Sequence, residues 1–306
     1  MGRYIAGRSL QAIPVVVATS IVVFLILHLA PGDPVRMLAS PTATEQDLAN
    51  LRSRLGLDQP LPIQYGRWMA SVLQGDMGES LRSGAPVLEI LPERYWNTIR
   101  LTLASMMIAA IVGLLAGLAA AARPGSFIDV LTTTVAVAGL SIPPFWLGLI
   151  LILVFSVQLG WLPAGGGDSW HHLILPAISL GTATAALIAR MVRSSLLEVI
   201  RTDYVRTGRA KGLREDALIL GHALPNALIP TITVFGLQFG TLLAGAVITE
   251  VVFSWPGIGS LLVTSILNRD FPVVQATLLV VSLTFLVVNL LTDLLYFWVD
   301  PRIRIE

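Results

Sequence analysis

Few side chains in this sequence have the types and spacing to do chemistry on a substrate. There is no cysteine, so thiolate nucleophiles and disulfides are excluded. Lys211 is the only lysine, and Gly212 follows it. A phosphate-cradling G-x-x-x-x-G-K-[ST] loop therefore cannot be built, and any ATP used must be bound by another chain. His171 and His172 are adjacent and lack the i,i+4 spacing of a helical metal pair. They read as a solvated or interfacial pair. Neither H-E-x-x-H nor G-x-S-x-G occurs. What remains is one basic, turn-containing stretch, YVRTGRAKGLREDALILGHALP at 204–225. Its chemistry is that of a surface another protein can grip. The formal net charge of +1 gives nucleic-acid binding no electrostatic support.

The elements that must position this stretch are apolar. Of 306 residues, 55% are hydrophobic and only 13% charged, with mean hydropathy +0.77. The apolar residues gather into runs of about twenty, the length a helix needs to cross a bilayer core. The short alternating segments of a membrane β-barrel are not seen. The class is an all-α polytopic membrane protein, with spans expected near 10–30, 101–121, 130–158, 173–189, 231–248 and 273–298. The first run exceeds a signal-peptide core and lacks a small-x-small site after it, so it reads as an uncleaved helix ended by Pro31–Pro34. The polar segment after it should hold three short helices. Thr44 with Asp47 resembles a capping box opening the first, through Leu55. Residues 62–74 form the second, and 86–96 the third, broken by Pro92. The division is 1–31, first helix; 32–98, an extracytoplasmic insertion; and 99–306, a five-helix core carrying the central loop at 195–229.

Gly113/Gly117 and Gly236/Gly240 have G-x-x-x-G spacing, read as close helix packing. Pro143 and Pro144 break or kink the third span. Two readings stand for them: a kink that shapes packing, or backbone lining a water-filled path. Asp293 is the one ionisable residue clearly inside a span; two readings stand for it, with a structural hydrogen bond favoured over a role in transport. His28 and Glu250 lie near the outer boundary. Basic residues concentrate on the side of the termini and central loop, which the positive-inside rule makes cytoplasmic.

Within the central loop, Ser195–Lys211 reads as a helix, with Leu197, Ile200 and Tyr204 on one face. Gly212 suits a left-handed position just past a helix end. A second short helix carries Leu213, Ala217, Leu220 and Leu224, and Pro225 ends it. The product is a two-helix knob with basic residues beside its bend.

This segment resembles the cytoplasmic loop of ABC-importer permeases, in which a glycine is followed twelve and thirteen residues on by Leu-Pro. Gly212, Leu224 and Pro225 keep that spacing. Arg206, Thr207 and Gly208 stand where Glu-Ala-Ala is usual, and RTGRAKG is similar to the dipeptide/oligopeptide/nickel variant. LHLAPGDP at 27–34, RLGLDQPLPIQY at 54–65, QGDMGES at 74–80, QLGWLPAGG at 158–166, FSWPGIG at 253–259 and VDPRIR at 299–304 resemble the same family. GGDSWHHLILPAISLG at 166–181 is similar to glutathione-import permeases.

The resemblance implies a type I ABC-importer permease fold with six transmembrane helices, in the bacterial inner membrane and its lipid. It implies a paralogous second permease subunit, two ATPase subunits and an extracytoplasmic substrate-binding protein. ATP and magnesium would sit on the ATPases, with no cofactor on this chain, which would not be an enzyme. Arg206, Arg209, Ala210, Lys211, Gly212, Glu215, Leu224 and Pro225 would meet an ATPase. Ser141, Pro143, Pro144 and Gln238 are candidates for the path. The competing readings are an ion-coupled secondary transporter, which would show more buried acids, and an intramembrane enzyme, which has no motif.

Overall fold

A computed structural model describes residues 2–29, 44–54 and 57–299, without side-chain environments for 2–9, 12, 26–29, 51, 54, 233 and 293–299. The chain runs α1 (Gly2–Leu29), α2 (Glu45–Arg54), α3 (Leu61–Leu73), α4 (Val87–Ala122), α5 (Phe127–Ser141) and α6 (Pro144–Leu151). It continues through α7 (His171–Ile200), α8 (Asp203–Ala210), α9 (Glu215–Leu218), α10 (Leu224–Val252), α11 (Ile258–Leu267) and α12 (Phe271–Val299). Wider π turns extend α6 over Ile152–Gln158 and join α9 to α10 over Ile219–Ala223. Among the described residues the only bridge between extended segments is Glu79 with Pro86, so the all-α expectation holds.

Helices α4, α7, the Glu215–Val252 stretch and Phe271–Thr292 are each long and apolar enough to cross a membrane. The first expected span coincides with α1, whose described apolar part is Ile13–Leu25. The expected stop at Pro31–Pro34, the tail from residue 300 and the side chain of Asp293 lie outside the described residues.

One expectation about prolines needs correction and another is met. The short helix at 86–96 is not separate from the second span. Both belong to the 36-residue α4, which passes through Pro92 without a break. Pro92 forfeits one backbone bond near the helix start. The carbonyl it leaves is that of Leu88, a 45% exposed residue, so solvent can serve that carbonyl. The third span is broken at Pro143–Pro144, one of the two outcomes expected of these prolines. Helices α5 and α6 meet at 104°. A residue before proline is pushed out of the helical region, and here two such positions are consecutive. Ile142 (φ −85, ψ 122) and Pro143 (φ −62, ψ 134) are both extended, which turns the chain.

The chain divides into two compact units, Met1–Arg94 with Leu261–Leu286, and Tyr95–Ser260 with Val287–Glu306. In the first, the capping box forms as expected. The Thr44 N–H and hydroxyl reach Asp47 Oδ2 at 2.9 and 2.7 Å, and the Asp47 N–H donates to Thr44 Oγ1 at 3.2 Å. Helix α3 packs Tyr65 and Trp68 around Phe24 of α1, with centroids 5.5 and 5.9 Å away. Buried Asp270 pins the 80–82 turn, accepting from Ser80 Oγ at 2.5 Å and from the Leu81 N–H at 3.0 Å.

The second unit is built on α4, α7 and α10. Three buried clusters follow one another along them. Leu101, Leu180, Leu242, Ala246 and Trp255 form the first. Ala109, Ala185, Ile188 and Val192 form the second. Ala121, Leu196, Val205, Leu218 and Ala227 form the third. The glycine pair on α4 lets α7 approach. A Cβ at Gly113 or Gly117 would lie 2.7 or 2.6 Å from the carbonyl oxygens of Ala185 and Ala189. Gly236 meets Thr292 of α12 more loosely, at 3.4 Å. Gly117→Leu is therefore expected to destabilise the unit by about 1–3 kcal/mol or more, since backbone cannot yield as a flexible side chain does. A lowered melting temperature in detergent checks this; an unchanged one contradicts the packing.

Arg193, near the end of α7, is one of the basic residues that the positive-inside rule counts. In the structure its guanidinium is a fork on the buried Asp129 carboxylate, with Nη2 2.8 Å from Oδ2 and Nε facing Oδ1. The Gly125 N–H adds a third donor at 2.9 Å. A bidentate pair of this kind fixes α5 against α7.

Candidate functional site

The central loop is a knob mounted on the ends of α4, α7 and α10. The expected helix Ser195–Lys211 is interrupted. Helix α7 ends at Ile200, and Thr202 (φ −72, ψ 156) is extended, with its hydroxyl returned to the Val199 carbonyl at 2.6 Å. A threonine that bonds its local backbone this way competes with the helix ladder, which restarts as α8. Asp203 in the first turn and Arg209 in the last suit the α8 macrodipole.

Gly212 takes the expected left-handed conformation, with φ +80. The Gly212 N–H donates to the Arg209 carbonyl at 3.0 Å, and the Leu213 N–H to Gly208 at 3.2 Å. These are the two bonds of a Schellman motif, which satisfies carbonyls that a helix end otherwise leaves open. The turn then enters α9, with Glu215 and Asp216 in its first turn.

Three buried residues hold the knob down. Val205 and Gly208 are the buried residues of α8, and Leu218 is that of α9. A Cβ at Gly208 would lie 2.5 Å from Leu218 Cδ1. Gly208 appeared in the sequence only as a departure from Glu-Ala-Ala; here it is what lets α9 lie against α8. Beneath them, Leu196 of α7, Ala227 of α10 and Ala121 of α4 close the apolar floor.

Arg206, Arg209, Ala210, Lys211, Gly212 and Glu215 are all exposed, on one short stretch. Arg209 and Glu215 pair across the turn, with Nε 3.0 Å from Oε2 and Nη2 2.5 Å from Oε1. Hydrogen bonding to the Arg209 guanidinium holds the Glu215 carboxyl below its usual range, and the carboxylate raises Arg209 in return. Both groups lie ahead of the apolar part of α10. Arg206 faces Asp203 at 3.5 Å, a solvated contact of little energetic weight. No ion pair reaches Lys211 among the described residues.

Leu224 is half-buried and Pro225 exposed, and neither ends a helix. The chain passes from α9 through the π turn Ile219–Ala223 into α10, with Pro225 in the first turn of α10. The wider π turn moves aside the carbonyls that a proline ring strikes in a regular helix. Tyr204 and Asn226 tie this passage to α8. Asn226 Nδ2 donates to Tyr204 Oη at 3.0 Å, and to the His222 carbonyl at 3.0 Å.

The other candidates are not gathered in this way. Ser141 is exposed at the end of α5, and its hydroxyl donates to the Val137 carbonyl of its own helix at 2.9 Å. Pro143 and Pro144 head α6, and the Pro144 carbonyl accepts from Ser179 Oγ of α7 at 2.5 Å. Gln238 is half-buried on α10. Among the described residues no group of three or more histidines, cysteines or carboxylates could hold a metal ion.

Residues 113–305 match the family described as binding-protein-dependent transport system inner membrane component, and residues 1–102 match the N-terminal family of the same membrane component. The chain is 48% identical over 304 residues to the glutathione transport system permease protein GsiC of Salmonella paratyphi A, and 47% identical to that of Escherichia coli K12. Each match covers 99% of both chains. Its fold is similar to the MetNI methionine ABC transporter in an inward-facing conformation, with TM-score 0.57, 22% identity, and 70% of this chain and 97% of that chain covered. An amino acid ABC transporter gives TM-score 0.54 at 16% identity, covering 75% and 97%. These likenesses bear out the type I permease fold and replace the ion-coupled carrier and intramembrane-enzyme readings. A permease of this kind is a multi-pass inner-membrane subunit that works with an ATPase and a substrate-binding protein. The chain belongs to the binding-protein-dependent transport system inner membrane component family, as a permease subunit of an ATP-driven importer.

Proposed function

We propose that this chain pairs with a paralogous permease, that two ATPase subunits dock on the face carrying the knob, and that small peptides of the glutathione kind are the cargo. The observation that carries the docking role is the exposed Arg206–Glu215 turn, fixed by its Schellman bonds and seated on a floor shared by α4, α7 and α10. A rigid projection with different contacts in two ATPase states is what a coupled transition requires. In this reading the termini and knob are cytoplasmic, and 32–98 lies outside, as the arginine distribution supports. ATP and magnesium stay with the ATPases, and this chain binds no cofactor. The Pro143–Pro144 bend, with Ser141 before it and Gln238 on α10, lines the path.

The likeness to glutathione permeases supports the cargo class. The test is reconstitution with the partner permease, the ATPases and the binding protein in proteoliposomes. Uptake of radiolabelled glutathione that needs internal ATP and the binding protein is expected. Uptake by this chain alone under an ion gradient would overturn the reading.

A further inference from the structure

At the end of the three-helix core away from the knob, a carboxylate is fully buried. Glu250 lies two residues before the last residue of α10 and is 0% exposed. The chain reverses just after it, through FSWPG, and enters α11. Glu250 reaches across this reversal. Its Oε2 accepts from the N–H groups of Gly259 and Ser260, at 2.8 and 3.0 Å, in the first turn of α11. Its Oε1 accepts from Thr98 Oγ1 of α4 at 2.5 Å. Thr98 Oγ1 in turn accepts from the Ile258 N–H at 2.8 Å. One threonine thus joins the carboxylate and the start of α11 to α4.

The surroundings are built around this contact. The Glu250 carbonyl accepts from the Trp255 N–H at 2.8 Å. Trp255 Nε1 donates to the Asn97 carbonyl at 3.0 Å, and Asn97 Nδ2 donates to the Pro256 carbonyl at 3.0 Å. A Cβ at Gly257 would overlap the Glu250 carboxylate. The loop after α6 closes over the reversal by way of three glycines. The Gly166 N–H donates to the Phe253 carbonyl at 3.0 Å, while Gly165 abuts Phe253 and Gly167 abuts Pro256 with no room for a side chain. A buried carboxylate is costly unless donors surround it, and here backbone amides at a helix start and a hydroxyl do so.

The place of this cluster decides its meaning. The contiguous cores along α4, α7 and α10 begin at the knob with Ala121, Leu196 and Ala227. They end at Leu101, Ala246 and Trp255, against the Glu250 contacts. Close-packed cores transmit displacement rather than absorb it.

We propose that Glu250 is a positioning residue for coupled transport. It fastens the 253–260 reversal to α4, so that the far end moves as one piece with the knob. This rests on the coupling role proposed above for the Gly212 turn. Without the fastening, α4 and α10 still carry the knob's motion, but the reversal no longer follows it. ATP is then hydrolysed without a matching movement at the far end.

The test uses the assembled importer in proteoliposomes with loaded binding protein. Glu250→Gln, Thr98→Val and Thr98→Ser are compared with the unaltered chain. Co-purification of the ATPases, basal ATP hydrolysis and cargo moved per ATP are measured together. A hydrogen bond to a buried charge is worth enough that its loss should lower cargo per ATP by about tenfold in Glu250→Gln and Thr98→Val, with basal hydrolysis within about twofold. Thr98→Ser, which keeps the hydroxyl, should behave as the unaltered chain. Unchanged cargo per ATP in Glu250→Gln and Thr98→Val overturns the proposal. So does a proportional loss of assembly, hydrolysis and uptake, which would make Glu250 a folding element only. Failure of the underlying coupling role would appear separately, as Gly212→Pro leaving coupled turnover intact in the same assay.

Discussion

Gly212→Pro is expected to abolish ATP hydrolysis stimulated by loaded binding protein, while the chain still inserts and the three-helix core still forms. Proline fixes φ near −65°, and Gly212 sits at +80°. The substitution also removes the N–H that bonds the Arg209 carbonyl. The Schellman turn cannot form, and α9 loses its approach to α8. Space is not the issue, because nothing lies within 4 Å of where a Cβ at Gly212 would be. Gly212→Ala should therefore cost only the left-handed strain of about 1–2 kcal/mol and retain partial coupling. Gly212→Asn should cost less still, since asparagine tolerates this conformation. Stimulated ATPase activity in the order Gly, Asn, Ala, Pro checks the argument. Equal activity in all four would show that the turn has no part in coupling.

Arg209→Glu is expected to have the second-largest effect, and its cause differs from what the sequence suggests. Read from the sequence, Arg209 presents a positive charge to the ATPase. In the structure it spends that charge on Glu215 across the turn. Reversal places two carboxylates face to face and pushes the turn open. Stimulated hydrolysis should fall by about tenfold or more, while global stability changes little, because solvent screens an exposed pair. The exchange Arg209→Glu with Glu215→Arg restores opposite charges. If bracing is the main role, it should recover most of the activity. If the exchange stays as inactive as the single reversal, Arg209 touches the ATPase directly. The pair is charged at neutral pH. Because Arg209 lowers the Glu215 pKa, the contribution of the pair is complete above the ordinary value of 4.5 and is lost as pH falls through the lowered one.

Features set by run length or by a single residue's backbone preference were readable in the sequence. The apolar runs mark the helices that cross, since length alone answers to bilayer thickness. Gly212 announces a helix end, and Gly113 with Gly117 announces a close approach, because in each case one missing side chain is the cause. Features made by contacts between distant segments were not readable. Arg193 looked like a topological charge until Asp129 arrived from α5. Glu250 was placed only by its nearness to the outer boundary, since its partners come from α4 and α11. Gly165–Gly167 and FSWPG were recognised as separate motifs, and the structure shows that one lies on the other. Prolines were legible only in part. Pro92 and Pro225 were given breaks that surrounding helix overrides, whereas the consecutive Pro143 and Pro144 do break their span as expected.

The turn at 206–215 is proposed to meet an ATPase subunit, and one crosslink tests this directly. The chain has no cysteine, so a single introduced thiol labels one place. Ala210→Cys, exposed beside the bend, would carry a maleimide-linked photocrosslinker in the assembled importer. Trp161→Cys, at a position 68% exposed on the loop after α6, serves as the comparison. Light is expected to join the label at 210 to an ATPase subunit, and the label at 161 to leave the ATPases untouched. An ATPase crosslink from 161 and none from 210 would contradict it.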